Sequence, residues 1–316
     1  MSRQQPRVPR DRDLDVSIAV VSYNTRELLA GCLNSIHETA AGLSFEIIVV
    51  DNASSDGSPE MVARDFPEAG LIRNAENLGF AAATNQAIRI SRGRYILLLN
   101  SDALLLPGTV RKMVSFMNDH PKAAIVGGQL LNPDGSFQGS YADFPDLFGE
   151  LLLITKLAHV VYTRTYPSHP AAESQRERAV DWVFGACLMA RRDAVKAVGL
   201  LDEEYFMYTE EADWCYRMRQ SGRLVYYLPS ASVIHWGGQS ARKVPERKRS
   251  ELYRSKWLFM RKHRGRVTAS AFRIAVLILS SLKLTGWALT CLSPDAARRG
   301  RGLQNVRSYA LLLSKF

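Results

Sequence analysis

Three runs in the first hundred residues end alike. VSIAVVSY (16–23), FEIIVVD (45–51) and YILLLN (95–100) are continuous β-branched and aliphatic stretches, and each closes on a polar cluster: SYN (22–24), DNASSD (51–56) and NSD (100–102). A strand that is apolar on both faces belongs in a sheet covered on both sides, the habit of parallel sheets. Between the runs lie segments of helical spacing: 25–40, with Leu28, Leu29, Cys32, Leu33 and Ile36, then about 58–65, 81–91 and 106–120. A short strand near 71–73 and the apolar run 123–131 continue the alternation. The pattern predicts an α/β fold, Rossmann-like, with helices on both faces of a mostly parallel sheet. Ligands of such sheets bind beyond the carboxyl ends of the strands, so the three polar clusters should share one edge. No G-x-G-x-x-G follows the first run, which leaves a dinucleotide-dependent oxidoreductase little support.

Beyond residue 131 the regularity loosens. NPDGS (132–136) signals a turn, and 143–179 reads as a short helix followed by a long loop, a candidate lid or acceptor-side element. DWVFGACLMARR (181–192) is expected as one strand, RDAVKAVG as a short helix, and RLVYYLP and ASVIHW as two further strands. YTEEADWCYRMRQSG (208–222) reads as a helix with Thr209 as its N-cap and Gly222 as its stop.

Charge divides the chain more sharply than hydropathy does. Residues 1–238 hold 23 basic and 28 acidic side chains, whereas residues 239–316 hold 18 basic and 3 acidic. Two partners suit so basic a segment, nucleic acid or an anionic membrane surface. The run IAVLILSSLKLTGWALTCL (274–292) favours the membrane, because a nucleic-acid-binding tail has no need of it. Lys283 near its middle would cost roughly 2.5–3.5 kcal/mol in a spanning helix, so a helix lying in the interface is expected. A buried hairpin, or a contact between two copies, is the plainer alternative. The four scattered cysteines make no C-x-x-C pair, and MSRQQPRVPRDRDLD (1–15) lacks an apolar core; a reduced, cytoplasmic setting and a disordered arm are expected.

Each polar residue at the strand tips has a plain reading and a chemical one. Asp51 can start an Asx turn or accept the imide N–H of a pyrimidine base. Tyr23 can pack in the core or stack on that base, and Trp182 can be core or a platform for a sugar ring. A glycine at 79, entering a helix, lets backbone N–H groups approach an anion. Glu210, Glu211 and Asp213 favour a helix N-terminus by roughly 0.3–1 kcal/mol each, yet three carboxylates within four residues also repel one another. His235, before two glycines, is a lone histidine, which is more often structural than a ligand.

Taken together and in order, SIAVVSYN, VVDNASSDGS, NAENLGFAAATNQAI, YILLLNSD, WVFGACLMARRDAVKAVGLLDEEYFMYTEEADWCYR and VIHWGG resemble a family 2 glycosyltransferase of the GT-A fold, nearest its rhamnosyltransferase-like branch. The likeness spans about 16–240, with a nucleotide-sugar half to about 131, an acceptor half from 132, and a helical, basic and apolar extension over 241–316. It implies that Tyr23, Asn24, Asp51, Asn77, Gly79, Asn100 and Ser101 bind the nucleotide sugar. It also implies that Asp102 and His235 hold Mg²⁺ or Mn²⁺, and that Trp182 faces the acceptor. The family's usual D-x-D is here Asn100-Ser101-Asp102, which keeps only the last carboxylate; one suffices for a cation that also takes phosphate and water. By position Glu211 is the general base of an inverting displacement, with Glu210 its rival and Asp213 an orienting residue. The expected donor is dTDP-rhamnose, or else a UDP-hexose or UDP-galactofuranose. The expected acceptor is a glycan, carried on a polyprenyl lipid at the cytoplasmic membrane face and reached through 246–301. A non-catalytic, nucleotide-binding membrane scaffold is the alternative from another class; nucleic acid is not an expected partner.

Overall fold

The computed structural model describes residues 14–40, 42–161, 167–238 and 245–316; most of the expected N-terminal arm lies outside them. The first half follows the predicted alternation. Strands β1 (Val16–Ser22), β2 (Phe45–Asp51), β3 (Gly70–Arg73) and β4 (Tyr95–Asn100) are interleaved with helices α1 (Arg26–Thr39), α2 (Ser58–Asp65) and α3 (Phe80–Ile90). There follow β5 (Ala103–Leu105), α4 (Thr109–Asp119), β6 (Ala123–Leu131), β7 (Phe137–Gln138), β8 (Tyr141–Ala142), α5 (Leu147–Thr155) and α6 (Ala158–Val161). The second half continues with β9 (Arg178–Val180), β10 (Trp182–Val183), β11 (Cys187–Arg191), α7 (Arg192–Val198), α8 (Glu210–Gln220) and β12 (Leu224–His235). Three helices end the chain: Pro245–His263, Arg266–Thr290 and Ala296–Lys315.

The main sheet runs β3-β2-β1-β4-β11-β6-β12-β5. Pairing is parallel for β3-β2, β2-β1, β1-β4 and β6-β12. Ser22 stands opposite Asp51, and Val21 opposite Asn100, so the three polar clusters do meet on one edge. Because successive side chains point to opposite faces, one strand feeds two cores. Ile18, Val20, Leu97 and Leu99 pack with Leu29, Leu33 and Met113 of α1 and α4. Ala19, Val50, Ile96 and Leu98 pack with Ala83, Ala87, Trp214 and Phe259, the last from the first C-terminal helix.

Three expectations are corrected here. Residues 181–192 are not one strand: β10 leaves for a separate ribbon with β8, and β11 re-enters antiparallel between β4 and β6. The break falls at Phe184-Gly185-Ala186, which carries no proline and is apolar enough to read as strand. RLVYYLP and ASVIHW, by contrast, form the single strand β12, bent by an irregularity between Leu228 and Ser232 that absorbs Pro229. Thr209 does stand at the N-cap position of α8, but its φ of +68° is left-handed and its side chain makes no capping bond.

Candidate active site

A cleft of about 840 Å³ opens at the carboxyl edge of the sheet. Tyr23, Asn77, Gly79, Asn100, Ser101, Asp102, Trp182, Glu210, Glu211 and His235 line it, so residues up to 212 positions apart converge on one cavity. Asn24, Asp51 and Asp213 are not among its lining residues.

The end of the cleft at the tip of β2 is built by amide side chains. Asn52, which carried no signal beyond its place in DNASSD, donates to Asn77 Oδ1 (2.9 Å) and to the Gly79 carbonyl (3.1 Å), and accepts from the Leu78 N–H (3.0 Å). It thereby folds the 74–79 loop onto the tip of β2. Asn24 accepts from the Ser55 N–H at 2.7 Å, which ties the loop after β1 to the loop after β2. Asp51 Oδ2 accepts from the Ser54 N–H at 2.9 Å, the turn its plain reading foresaw. Its Oδ1 is buried without a hydrogen-bond partner. A buried acceptor left open costs about 1–3 kcal/mol. Ser101 Oγ is held by Thr25 Oγ1 at 2.8 Å.

Gly79 has a different reason from the expected one. Its own N–H donates to Asn77 Oδ1 (3.0 Å) and the Phe80 N–H donates to the Phe206 carbonyl (2.7 Å), so both groups are engaged within the protein. With φ +86°, a Cβ at 79 would lie 2.4 Å from Phe206 O. The glycine is the point where the 74–79 loop touches the loop that leads to the acids.

Asp102 and His235 lie at the ends of neighbouring elements. His235 Nε2 is 3.3 Å from Asp102 Oδ1 and 3.3 Å from Asn100 Nδ2. Gln138, which sequence reasoning missed, fixes the imidazole. Its Nε2 donates to Asn132 Oδ1 (2.9 Å) and to the His235 carbonyl (3.2 Å), so its Oε1 faces His235 Nδ1 at 2.7 Å and must accept. Nδ1 therefore carries a proton, and in the neutral ring the lone pair is left on Nε2, beside the Asp102 carboxylate. That arrangement suits a cation, and the Gln138 bond is the kind of outer support that orients ligand histidines. Asp102 and His235 are only two donors, and among the described residues no group of three or more His, Cys, Asp or Glu side chains is placed to hold a metal. The fit therefore requires substrate or water oxygens to complete it, as Mg²⁺ sites commonly do.

The acids sit at the first turn of α8. Burial and then the neighbouring Glu211 charge raise the Glu210 carboxyl well above its ordinary range. Burial likewise raises Glu211, opposed by N–H groups that include that of Gly185. Each keeps one oxygen, Oε2, buried with no hydrogen-bond partner. Tyr208, just before them, is also left-handed at φ +71° and lines the cleft. Asp213 does something else. Its carboxylate is bound by Arg217 Nε and His263 Nε2, both at 2.7 Å, and it faces away from the cleft into that network. Burial alone would raise its pKa, but the His263 hydrogen bond and the Arg217 charge hold it below the usual range. Trp182 is nearly buried, and its Nε1 donates to the Asp143 carbonyl at 2.9 Å, leaving part of the ring on the cleft wall.

The first C-terminal helix is part of this site. Ser255 Oγ donates to the Met207 carbonyl (2.8 Å), Arg261 pairs with Glu204 (2.9 Å), and Lys262 pairs with Asp202 and Glu204, all on the loop that enters α8. Lys256, partly exposed to the cleft, and the buried Glu150 pair at 2.6 Å on the far wall. Each partner is about a hundred residues from the other, beyond the reach of any local pattern.

This sheet, with its cleft at the strand ends, is the fold of GT-A glycosyltransferases. It matches the mannosyltransferase PcManGT from Pyrobaculum calidifontis, solved with GDP-Man and Mn²⁺, at a TM-score of 0.55 and 18% identity, over 97% of this chain and 90% of that one. The family model described as glycosyl transferase family 2 matches residues 17–199, and the chain belongs to that family. It is 28% identical over 261 residues to the N-acetylglucosaminyl-diphospho-decaprenol L-rhamnosyltransferase of Mycobacterium tuberculosis, covering 77% of this chain and 83% of that protein. It is 25% identical to the low-salt glycan biosynthesis hexosyltransferase Agl10 of Haloferax volcanii, over 70% of this chain and 67% of that one.

Proposed function

We propose that the protein is an inverting, divalent-cation-dependent glycosyltransferase that moves rhamnose from dTDP-rhamnose to a hydroxyl of a lipid-linked glycan, at the cytoplasmic face of the cell membrane. The observation that carries this reading is the convergence of Glu211, the Asp102–His235 pair and the 74–79 loop on one cleft. The acceptor hydroxyl gives its proton to Glu211 as its oxygen bonds to the anomeric carbon. The bond from that carbon to the diphosphate breaks on the opposite side, and nucleoside diphosphate leaves with the electron pair. Asp51 receives the base, Asn100 and Ser101 lie beside the ribose and diphosphate, and Trp182 backs the acceptor. Asp102 and His235 hold Mg²⁺ or Mn²⁺, whose contribution when bound is to neutralise charge on the diphosphate. Rhamnose is supported by likeness to the mycobacterial enzyme. The likeness to Agl10, a hexosyltransferase, supports a second reading in which a hexose is moved by the same machinery, with a UDP-sugar as the donor we would test.

The test is nucleotide release by purified protein offered dTDP-rhamnose, UDP-galactose, UDP-glucose or GDP-mannose, with Mn²⁺ or Mg²⁺ and then with EDTA. Release of dTDP that EDTA and Asp102→Ala abolish is the expected result. Release only from a UDP-sugar shifts the donor to the second reading. Release that persists in EDTA sinks the metal assignment.

A further inference from the structure

The helix Arg266–Thr290 has two faces of opposite commitment. At 100° per residue, Ala269, Phe272, Val276 and Ser280 share one side, and all four are buried. Val267, Ile274, Ile278, Leu282 and Leu289 fall within about 80° of arc on the other side, and all five are exposed. No charged residue lies on that exposed arc. Arg264 and Arg266 precede it and Arg298, Arg299 and Arg301 follow it. The helix is long and apolar enough to cross a bilayer, but a helix with one side packed in a protein core cannot be ringed by lipid. Lying along the surface is the geometry that satisfies both faces.

A second apolar surface stands beside it. Phe148 of α5, and Leu157, Val160 and Val161 around α6, are all more than half exposed. Lys283 Nζ donates to the Ile154 carbonyl at the end of α5, and Ile154 packs with Phe272 and Val276, so this lip is fastened to the helix. The opposite side of α5 carries Glu150 and Leu153 into the cleft.

We propose that the α5–α6 lip and the exposed stripe of Arg266–Thr290 form one platform seated in the anionic leaflet of a bilayer, with α5 as the wall past which a lipid-linked acceptor reaches the acids. The part of this that concerns the acceptor rests on the function proposed above; the platform does not. Charge complementarity selects the occupant. Arg264, Arg266, Arg298, Arg299 and Arg301 are all exposed and flank the stripe at both ends, so two copies apposed through this face would bring like charges together, whereas anionic headgroups attract each basic residue near the surface.

The experiment uses the full chain and sedimentation with phosphatidylcholine vesicles, with and without phosphatidylglycerol. Two double variants are compared, Phe148→Ser with Val160→Ser on the lip, and Ile278→Ser with Leu282→Ser on the stripe; none of these residues lines the cleft. Binding that requires phosphatidylglycerol and falls by about tenfold or more in each double variant, with acceptor-free nucleotide release unchanged, is the expected result. Wild-type vesicle binding in the lip variant overturns the platform. So does a stripe variant that binds vesicles normally but turns a dimer into a monomer by light scattering, since the face is then a contact between copies. Vesicle binding without nucleotide release from any donor would overturn the function above and leave the platform standing.

Discussion

The two glutamates at the start of α8 can be separated by one paired experiment. Glu211→Gln and Glu210→Gln each remove one buried carboxylate from a site where both carboxyls are raised by burial. If Glu211 takes the acceptor proton, its loss removes general-base catalysis, typically 10²- to 10⁴-fold, or roughly 3–5 kcal/mol of barrier. Donor affinity should stay nearly constant, because a base acts on the acceptor. Glu210→Gln should keep much of the turnover and leave the acid limb of the pH–rate profile in place, since it is the Glu211 charge that raises Glu210, which stays neutral while Glu211 ionises. Stability gives an independent reading. A carboxyl whose folded pKa is raised stabilises the fold fully below its unfolded value, and that contribution is lost as pH rises through the folded value. Each unit of elevation costs about 1.4 kcal/mol once the group is ionised. The melting temperature of Glu210→Gln relative to wild type should therefore climb between pH 5 and pH 8. Steady-state nucleotide release with a soluble acceptor, isothermal donor titration and melts at several pH values measure all three. Full turnover in Glu211→Gln, with loss in Glu210→Gln, would exchange their roles. Full turnover in both, or a melting difference flat with pH, would refute the reasoning.

Gly79→Ala puts a Cβ 2.4 Å from Phe206 O at φ +86°; a loss of roughly 1–3 kcal/mol from backbone strain alone is expected in urea unfolding, together with a raised KM for donor. An unchanged midpoint would show that the two loops are not locked together. The Glu150–Lys256 pair predicts a cycle: Lys256→Met costs roughly 3–5 kcal/mol by stranding the buried Glu150 carboxylate, Glu150→Leu costs less because Lys256 keeps access to the cleft, and the double variant is close to wild type. Additive losses would mean that the two side chains act separately.

What the sequence disclosed was local. β1, β2 and β4 are legible because a strand buried on both faces must be apolar throughout, and their polar tips then mark the ligand edge. The acids of α8 stood out because repelling carboxylates in a row have no packing reason. What it concealed was pairing at a distance. Nothing near Gln138 says that it will set the tautomer of His235, 97 positions away. Nothing in the run 181–192 says that Gly185 interrupts it to offer its N–H to Glu211. Asp213 was read with its sequence neighbours, but a helix turns successive residues about 100° apart, and this one faces Arg217 and His263 instead.

The bonds from Ser255, Arg261, Lys262 and His263 to the approach and first turn of α8 have a consequence for how such a protein can change. An anchor attached by a free linker can be exchanged for another during descent without touching catalysis. Here the first helix of the tail is also the buttress of the acids, so inheritance of the tail and inheritance of the chemistry are tied. A shortened chain ending before Pro245 is not a smaller soluble transferase; it is an arch with its keystone removed.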